Sequence, residues 1–426
     1  MKIDKELESL AKQFKKHKHT LYIVGGFVRD NLLGLTPSDI DITSSMPYSE
    51  VINLCKKSKI KTIPVNKKLG TLQIVIGNNI YEYTQFRSES YSEKGSHSPD
   101  KVEFVNDIKI DCFRRDLTIN SLYYDISNKK VIDLVDGTKH LKNKIIKTTN
   151  KPEITLQDDG LRILRVIRFA SLLNFKIDRK TLSTIKMFSG HLSKISKERI
   201  IKEISYLAIS DLKHNLKNTI FLKYIFKLKL LPQIFNSSLE RVKNLTKQDV
   251  SNYYKLSYNS RIIGFYFLII KNYLKGFSQE NQLPFVINMI LGNDGIKESK
   301  NNINLVEKLY RIYQNLYYNN DSLTASLNYL CLSDNEREII NAFLNKNGAI
   351  ILANNKEIIK RYNFPLNIHE LKVSGEDLKN ENIDGKYIGK ILSVLFNQVI
   401  ALKVENKKED LIKLALEIHN NFKNIN

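Results

Sequence analysis

Cysteine is scarce. Only Cys55, Cys112 and Cys331 occur in 426 residues, and no two of them form a C-x-x-C pair. Neither a zinc ribbon nor a disulfide framework is supported, and a reducing, cytoplasmic setting is expected. Long apolar runs are missing too. The longest, Ile262 to Ile270, is too short to span a bilayer and reads as a buried helix segment. Residues 1–19 are charged throughout, unlike a secretory signal, and place Leu7, Leu10 and Phe14 on one face of an amphipathic helix. There is no fixed repeat and no low-complexity linker. Acidic residues are in deficit, 45 against 67 Lys and Arg, which leaves a formal charge of +22. That excess predicts a polyanionic partner, nucleic acid ahead of an anionic membrane.

What is present begins at Leu21. Leu21-Tyr22-Ile23-Val24 is a short strand, Gly25-Gly26 a turn, and a short helix carrying Arg29 and Asp30 follows. Ser38-Asp39-Ile40-Asp41-Ile42 then predicts a second strand with Asp39 and Asp41 on one face. Adjacent carboxylates repel unless a cation lies between them, and proteins hold Mg²⁺ with one or two carboxylates plus substrate phosphates. The glycine pair lets backbone approach a phosphate, and the helix behind it offers N–H groups to an anion. The spacing is not the G-x-G-x-x-G of a dinucleotide site. The stretch therefore points to a metal-bound nucleoside triphosphate. Thr71–Ile76 and Ile80–Thr84 flank Gly77-Asn78-Asn79, a hairpin signal, and its second strand carries Glu82, a candidate third carboxylate.

Two further motifs follow. Asp111-Cys112-Phe113-Arg114-Arg115-Asp116 sets two phosphate-binding guanidiniums beside carboxylates, and Asn120 shares a face with Asp116 if the segment is helical. Asp158-Asp159-Gly160-Leu161-Arg162 continues to Arg165, Arg168 and Phe169. On a helix, Asp159, Arg162, Arg165 and Arg168 form one polar stripe beside an apolar stripe of Leu161, Leu164 and Ile167. Three arginines facing inward require an anionic or polar partner. Beyond about residue 140 strand signals give way to helical periodicity, with loop-like breaks at Asn236-Ser237-Ser238 and Asn345–Asn355.

These three motifs, in this order, resemble the class II tRNA nucleotidyltransferase and poly(A) polymerase family of the polymerase β superfamily. Lys197 to Glu203 is similar to that family's E-R-I-x-x-E segment, and Leu371 to Leu378 resembles the tail of its bacterial CCA-adding members. The resemblance covers nearly the whole chain. It implies an α+β fold: a polymerase-β-type nucleotidyltransferase head at 1–140, a nucleotide-selecting neck at 141–205, a helical body at 206–355 and a tRNA-binding tail at 356–426.

By the same resemblance, Asp39 and Asp41, with Glu82, are the catalytic carboxylates, and Asp39 and Asp41 bind two Mg²⁺ ions. Gly25, Gly26, Arg29, Asp30, Arg114, Arg115, Asp116 and Asn120 hold the nucleotide, the last two helping to admit a ribose. Asp159 and Arg162 read the incoming base, supported by Arg165 and Arg168. One carboxylate and one guanidinium can pair with cytosine at N4 and N3 or adenine at N6 and N1; uracil and guanine leave them unpaired, at about 1–3 kcal/mol per group. The implied activity is template-independent addition of C, C and A to tRNA from CTP and ATP, with no membrane and no protein partner required. An A-adding or poly(A)-polymerase member is the nearest alternative, and a non-catalytic RNA-binding protein a more distant one. Arg87 to Pro99 resembles the family's flexible loop, which CC-only enzymes tend to lack. No His-Asp dipeptide marks a phosphohydrolase domain, and no arginine-rich C-terminal tail of a bacterial poly(A) polymerase is seen. Departures from the family's pattern include Asp158 for Glu, Gly160 for Ala, Leu117 for Phe and Ser121 for Ala. Glycine costs a helix up to about 1 kcal/mol, so a loose start to the third motif's helix is expected.

Overall fold

The computed structural model describes every residue except 2, 92–99, 217, 243–244, 276–281, 319–320 and 425–426. The described residues fall into two compact units, Met1–Asn244 with Met289–Lys297, and Leu245–Asn288 with Glu298–Asn426.

The first unit opens with α1 (Lys5–Lys16), whose Leu7, Leu10, Ala11 and Phe14 are buried as the 3.6-residue period requires. Burying each of the larger three is worth about 1.5–3 kcal/mol. Then come β1 (Tyr22–Val24), α2 (Gly26–Leu32), β2 (Asp41–Ser44), α3 (Tyr48–Lys57), β3 (Lys61–Asn66), β4 (Thr71–Ile76) and β5 (Asn79–Gln85). After them lie β6 (Arg87–Ser90), β7 (Lys101–Phe104), α4 (Ile108–Phe113), β8 (Leu122–Asp125), β9 (Lys130–Asp133) and α5 (Gly137–Lys142). Seven of these strands form one sheet in the order β3-β4-β5-β2-β1-β8-β9. The expected hairpin is β4–β5, paired from Thr71↔Thr84 to Ile76↔Asn79. Within this sheet β2 and β5 make the parallel pair, with Asp41 opposite Glu82. β6 and β7 form a separate two-stranded ribbon.

Helices dominate from there, though β10 (Ile145–Ile146) and β11 (Lys176–Ile177) still pair in parallel. Between and beyond them run α6 (Pro152–Asp158), α7 (Arg162–Leu173), α8 (Arg179–Phe188), a 3-10 turn at Ser189–Lys194, and α9 (Lys197–Ala208). The break expected at Asn236-Ser237-Ser238 is a 3-10 turn over Ser237–Arg241.

The second unit is helical throughout its described residues. The apolar run at 262–270 lies in the helix Arg261–Leu274, with Phe265 to Ile270 fully buried. The break expected at Asn345–Asn355 is not a loop: a helix runs over Lys346–Arg361. Asn345 caps it, accepting the Gly348 N–H at 2.7 Å, so the asparagine marks a helix start. Near the end of the chain, Leu378, Ile391, Leu395, Leu411 and Ala415 bury a core of their own. Among the described residues, no helix is long and apolar enough to cross a membrane.

Candidate functional site

β1 stops where it does because Gly25 adopts φ +81°, a left-handed backbone that glycine accepts without steric cost. That turn fixes where β2 begins. Val24 pairs with Asp41, so no strand residue remains to pair with Asp39. The expectation that both aspartates sit on one strand is therefore corrected: Asp41 opens β2, and Asp39 lies in the exposed segment before it. The Ser38 hydroxyl donates to Asp39 Oδ2 at 3.2 Å.

Parallel pairing sets Glu82 beside Asp41. A side chain at Gly25 would meet Asp41 Oδ2 at 3.7 Å. The surrounding protein and the Glu82 charge push the Asp41 carboxyl up to about 6; Arg115 draws it down and Asp39 adds to the rise. Asp41 nonetheless keeps solvent access on one side. Asp41, repelled by both Glu82 and Asp39, has the chemistry of a ligand for a hard divalent cation. Among the described residues no three His, Cys, Asp or Glu side chains are already gathered to hold an ion. Oxygen atoms from substrate phosphates would have to complete such a site.

Arg29, on α2, is almost wholly buried. Its Nε donates to Asp30 Oδ1 and its Nη1 to Asn120 Oδ1, both at 2.7 Å. Asp30 is thus the counter-ion of Arg29. A side chain at Gly26 would lie 3.6 Å from Arg29 Nη2, so the two-glycine turn rests against that guanidinium.

The second motif is only partly helical. α4 ends at Phe113, Leu117 is extended and bridges to Thr148, and a 3-10 turn covers Thr118–Asn120. Asp116 and Asn120 therefore do not share a helical face, because the Leu117–Thr148 bridge pulls the chain straight between them. Asn120 serves Arg29, whereas Asp116 Oδ2 accepts from Arg165 Nε at 2.8 Å. Burial would raise the Asp116 carboxyl; Arg165 and Arg162 overcome this and hold it below its ordinary value. Arg114 and Arg115 both bond to Asp111, which is fully buried. The Tyr123 hydroxyl also donates to Asp111 Oδ2 at 2.7 Å. Burial alone would raise Asp111; Arg115, Arg114 and Tyr123 outweigh it and hold the carboxyl at about 2. Arg114 further bonds Glu89 at 3.1 Å, and Glu89 accepts from Arg87 and from the Tyr91 hydroxyl.

The third motif is a junction followed by a helix. α6 ends at Asp158, Asp159 is extended at φ −142°, and α7 starts at Arg162. The polar stripe therefore begins at Arg162, and Asp159 stands off it. Gly160 is not a loose spot either. A Cβ there would come within 2.7 Å of the His191 carbonyl oxygen, so only glycine lets this junction pack on the 3-10 turn at Ser189–Lys194. Asp159 accepts from Arg199 Nη2 of α9 at 2.8 Å. Arg162 donates to the carbonyls of Thr155 at 3.1 Å and Arg114 at 3.0 Å. Arg168 faces Glu203 of α9 at 3.1 Å. Burial raises the Glu203 carboxyl, with Arg168 and Arg165 opposing it. The inward-facing arginines thus already have acidic partners.

Sequence reasoning placed Asp111 in the second motif but missed Glu89, Tyr91, Tyr123 and Arg199 as members of this site. Arg199 lies in the E-R-I-x-x-E-like stretch, but its partner is 40 residues away and no local pattern shows that pairing. The loop-like segment Gly95-Ser96-His97-Ser98-Pro99 lies outside the described residues.

Comparison with known proteins shows the family and the fold. Residues 21–147 match the Poly A polymerase head domain, and residues 174–235 match the probable RNA and SrmB-binding site of polymerase A. The CCA-adding enzyme of Ligilactobacillus salivarius is 32% identical over 442 aligned positions, covering 97% of this chain and 98% of that one. The crystal structure of the Bacillus stearothermophilus CCA-adding enzyme in complex with CTP aligns at TM-score 0.67 and 22% identity, covering 99% of this chain and 98% of that one. The Thermotoga maritima CCA-adding enzyme complexed with tRNA aligns at TM-score 0.61 and 20% identity, covering 98% and 96%. At those identities the two structures establish the fold.

Proposed function

This chain belongs to the CCA-adding enzyme family, and from that premise we propose that it adds C, C and A to the 3′ end of tRNA, from CTP and ATP, without a nucleic-acid template. The terminal hydroxyl oxygen of the RNA gives up its proton to solvent and bonds to the α-phosphorus, and the bond to pyrophosphate breaks. Asp39 and Asp41 would hold two Mg²⁺ ions, with Glu82 as a third carboxylate beside them. When bound, those ions activate the hydroxyl and neutralise the leaving pyrophosphate.

The chain's own residues do the rest. The Gly25-Gly26 turn brings backbone up to the triphosphate, braced by Arg29. Arg114 and Arg115, fixed on Asp111, present guanidinium edges to phosphate or sugar. Asp116 and Asn120 border the ribose. Asp159 and Arg162 read the base, Asp159 set by Arg199 and Arg162 by the Thr155 and Arg114 carbonyls, with Arg165 and Arg168 beside them on α7. Residues 1–140 act as head, 141–205 as neck, 206–355 as body and 356–426 as the tRNA-gripping tail, in the cytoplasm.

The observation that supports this most is the stitching of the third motif onto the second. Arg162 donates to the Arg114 carbonyl and Arg165 to Asp116, so base reading and phosphate holding share one rigid frame. The test is to incubate the protein with tRNA lacking its whole CCA end, supplying CTP and ATP separately and together. Two C additions with CTP alone, and one further A when both are present, are expected. Addition of A only to ends already carrying CC, or a long A tail, would overturn the reading.

A further inference from the structure

Phe169 carries no polar atom and has no part in the scheme above. Its surroundings are unusual for a core phenylalanine. Three guanidinium carbons lie close to its ring centroid: Arg168 at 4.7 Å, Arg29 at 5.2 Å and Arg165 at 5.5 Å. Like charges do not gather without cause. Each has one acidic partner, Asp30 for Arg29, Asp116 for Arg165 and Glu203 for Arg168. Those partners come from α2, from the segment after α4 and from α9. One ring therefore touches the arginine of the glycine turn and two arginines of the third motif, while their acids anchor three separate stretches of chain.

The chemistry of the ring is what makes this more than packing. A benzene face is negative and its edge positive, so a face attracts a guanidinium where an aliphatic side chain of equal volume does not. Phe169 is 8% exposed, so that attraction acts with little water between. Of the three arginines, Arg165 keeps the most open side chain, 33%, against 4% for Arg29 and 16% for Arg168. Arg165 is thus the member of the trio that can meet a ligand directly. The other two are more deeply buried against the same ring.

We propose that Phe169 is a positioning residue for the nucleoside triphosphate, its π face holding Arg29 and Arg165 in one register so that the triphosphate end and the base-reading end of the site are set together. The proposal rests on the nucleotide-binding reading given above. Nucleotide affinity, measured by equilibrium binding of CTP and ATP without tRNA, is the direct readout. Thermal unfolding monitors folding in parallel.

Phe169→Leu keeps the apolar volume and removes the π face. It should raise the Kd and KM for both nucleotides about tenfold with a smaller change in kcat. Phe169→Tyr, which keeps the face, should restore values within about twofold of wild type. Pentafluorophenylalanine introduced at position 169 keeps the shape and inverts the ring's charge distribution; it should behave like leucine even where Phe169→Leu fails to fold. Wild-type affinity in both the leucine and the pentafluoro proteins would overturn the proposal and leave Phe169 as packing alone. Wild-type protein that binds CTP and ATP yet leaves tRNA unextended would instead defeat the catalytic reading, with the affinity test still deciding the role of Phe169.

Discussion

Asp111 offers the sharpest stability test. Its carboxylate is fully buried between Arg114, Arg115 and Tyr123, and is held at about 2 against an ordinary 3.8. A gap of roughly two units at about 1.4 kcal/mol each puts the charge at about 2.5 kcal/mol of folding free energy. Breaking a buried pair from one side costs about 3–5 kcal/mol, because the partner charge is left uncompensated. Asp111→Asn should therefore destabilise the first unit by about 2.5–5 kcal/mol. Urea unfolding followed by circular dichroism, at pH 7, reads the transition. Tyr123→Phe removes one hydrogen bond and should cost only about 1 kcal/mol. The pH dependence carries a fixed sign. A depressed folded value means the stabilisation is complete above about 3.8 and is lost as the pH falls toward about 2. The difference between wild type and Asp111→Asn should therefore shrink across that window and nowhere above it. A penalty under about 1 kcal/mol at pH 7, or a difference that persists at pH 2, would refute the assignment.

Four other outcomes are expected. Asp41→Asn should lower nucleotide addition by at least about 100-fold. In chelator it should nevertheless unfold no earlier than wild type, since a raised carboxyl stabilises the fold only at low pH and that benefit is lost as the pH rises through about 6; a lower Tm would contradict this. Asp159→Ala should reduce discrimination against UTP and GTP by roughly 5–150-fold, the equivalent of about 1–3 kcal/mol, in single-nucleotide incorporation assays. Gly160→Ala should cost about 1–3 kcal/mol through its clash with the His191 carbonyl, although helix propensity alone predicts a gain; chemical denaturation gives the sign. Affinity for tRNA should fall linearly in log–log form with added salt, and a flat response in filter binding would show that the +22 charge does not engage phosphates.

Periodicity made much of the fold legible. The face of α1, the β4–β5 hairpin and the buried helix at 261–274 follow directly from apolar spacing and turn residues. What escaped depends on partners distant in sequence. The start of β2 is set by the length of β1, and that by the φ of Gly25. Asp116 and Asn120 were separable only by knowing that Leu117 bridges to Thr148. Asn345 read as loop because asparagine favours turns and helix caps alike. In the site, Glu82 was expected near the aspartates and parallel pairing sets it opposite Asp41; the arginines were visible as residues but their partners were not, Arg199 meeting Asp159 across 40 residues. Gly160 misled because propensity describes a helix in isolation, whereas this glycine answers to the carbonyl of His191.

The arginine network also sorts the chain's positive charge into two kinds. Of fourteen arginines, eight lie in it, at positions 29, 87, 114, 115, 162, 165, 168 and 199, while fifty-three lysines make up the rest of the basic count. Those eight face seven carboxylates that touch them: Asp30, Glu89, Asp111, Asp116, Asp158, Asp159 and Glu203. The pocket is close to neutral within itself, and more negative once Asp39, Asp41 and Glu82 are counted. A bare polyanion gains little by entering it. The chain's net charge of +22 is therefore carried almost entirely by residues outside this network. An arginine network so nearly balanced by its own carboxylates is thereby set apart from the positive charge carried elsewhere in the chain.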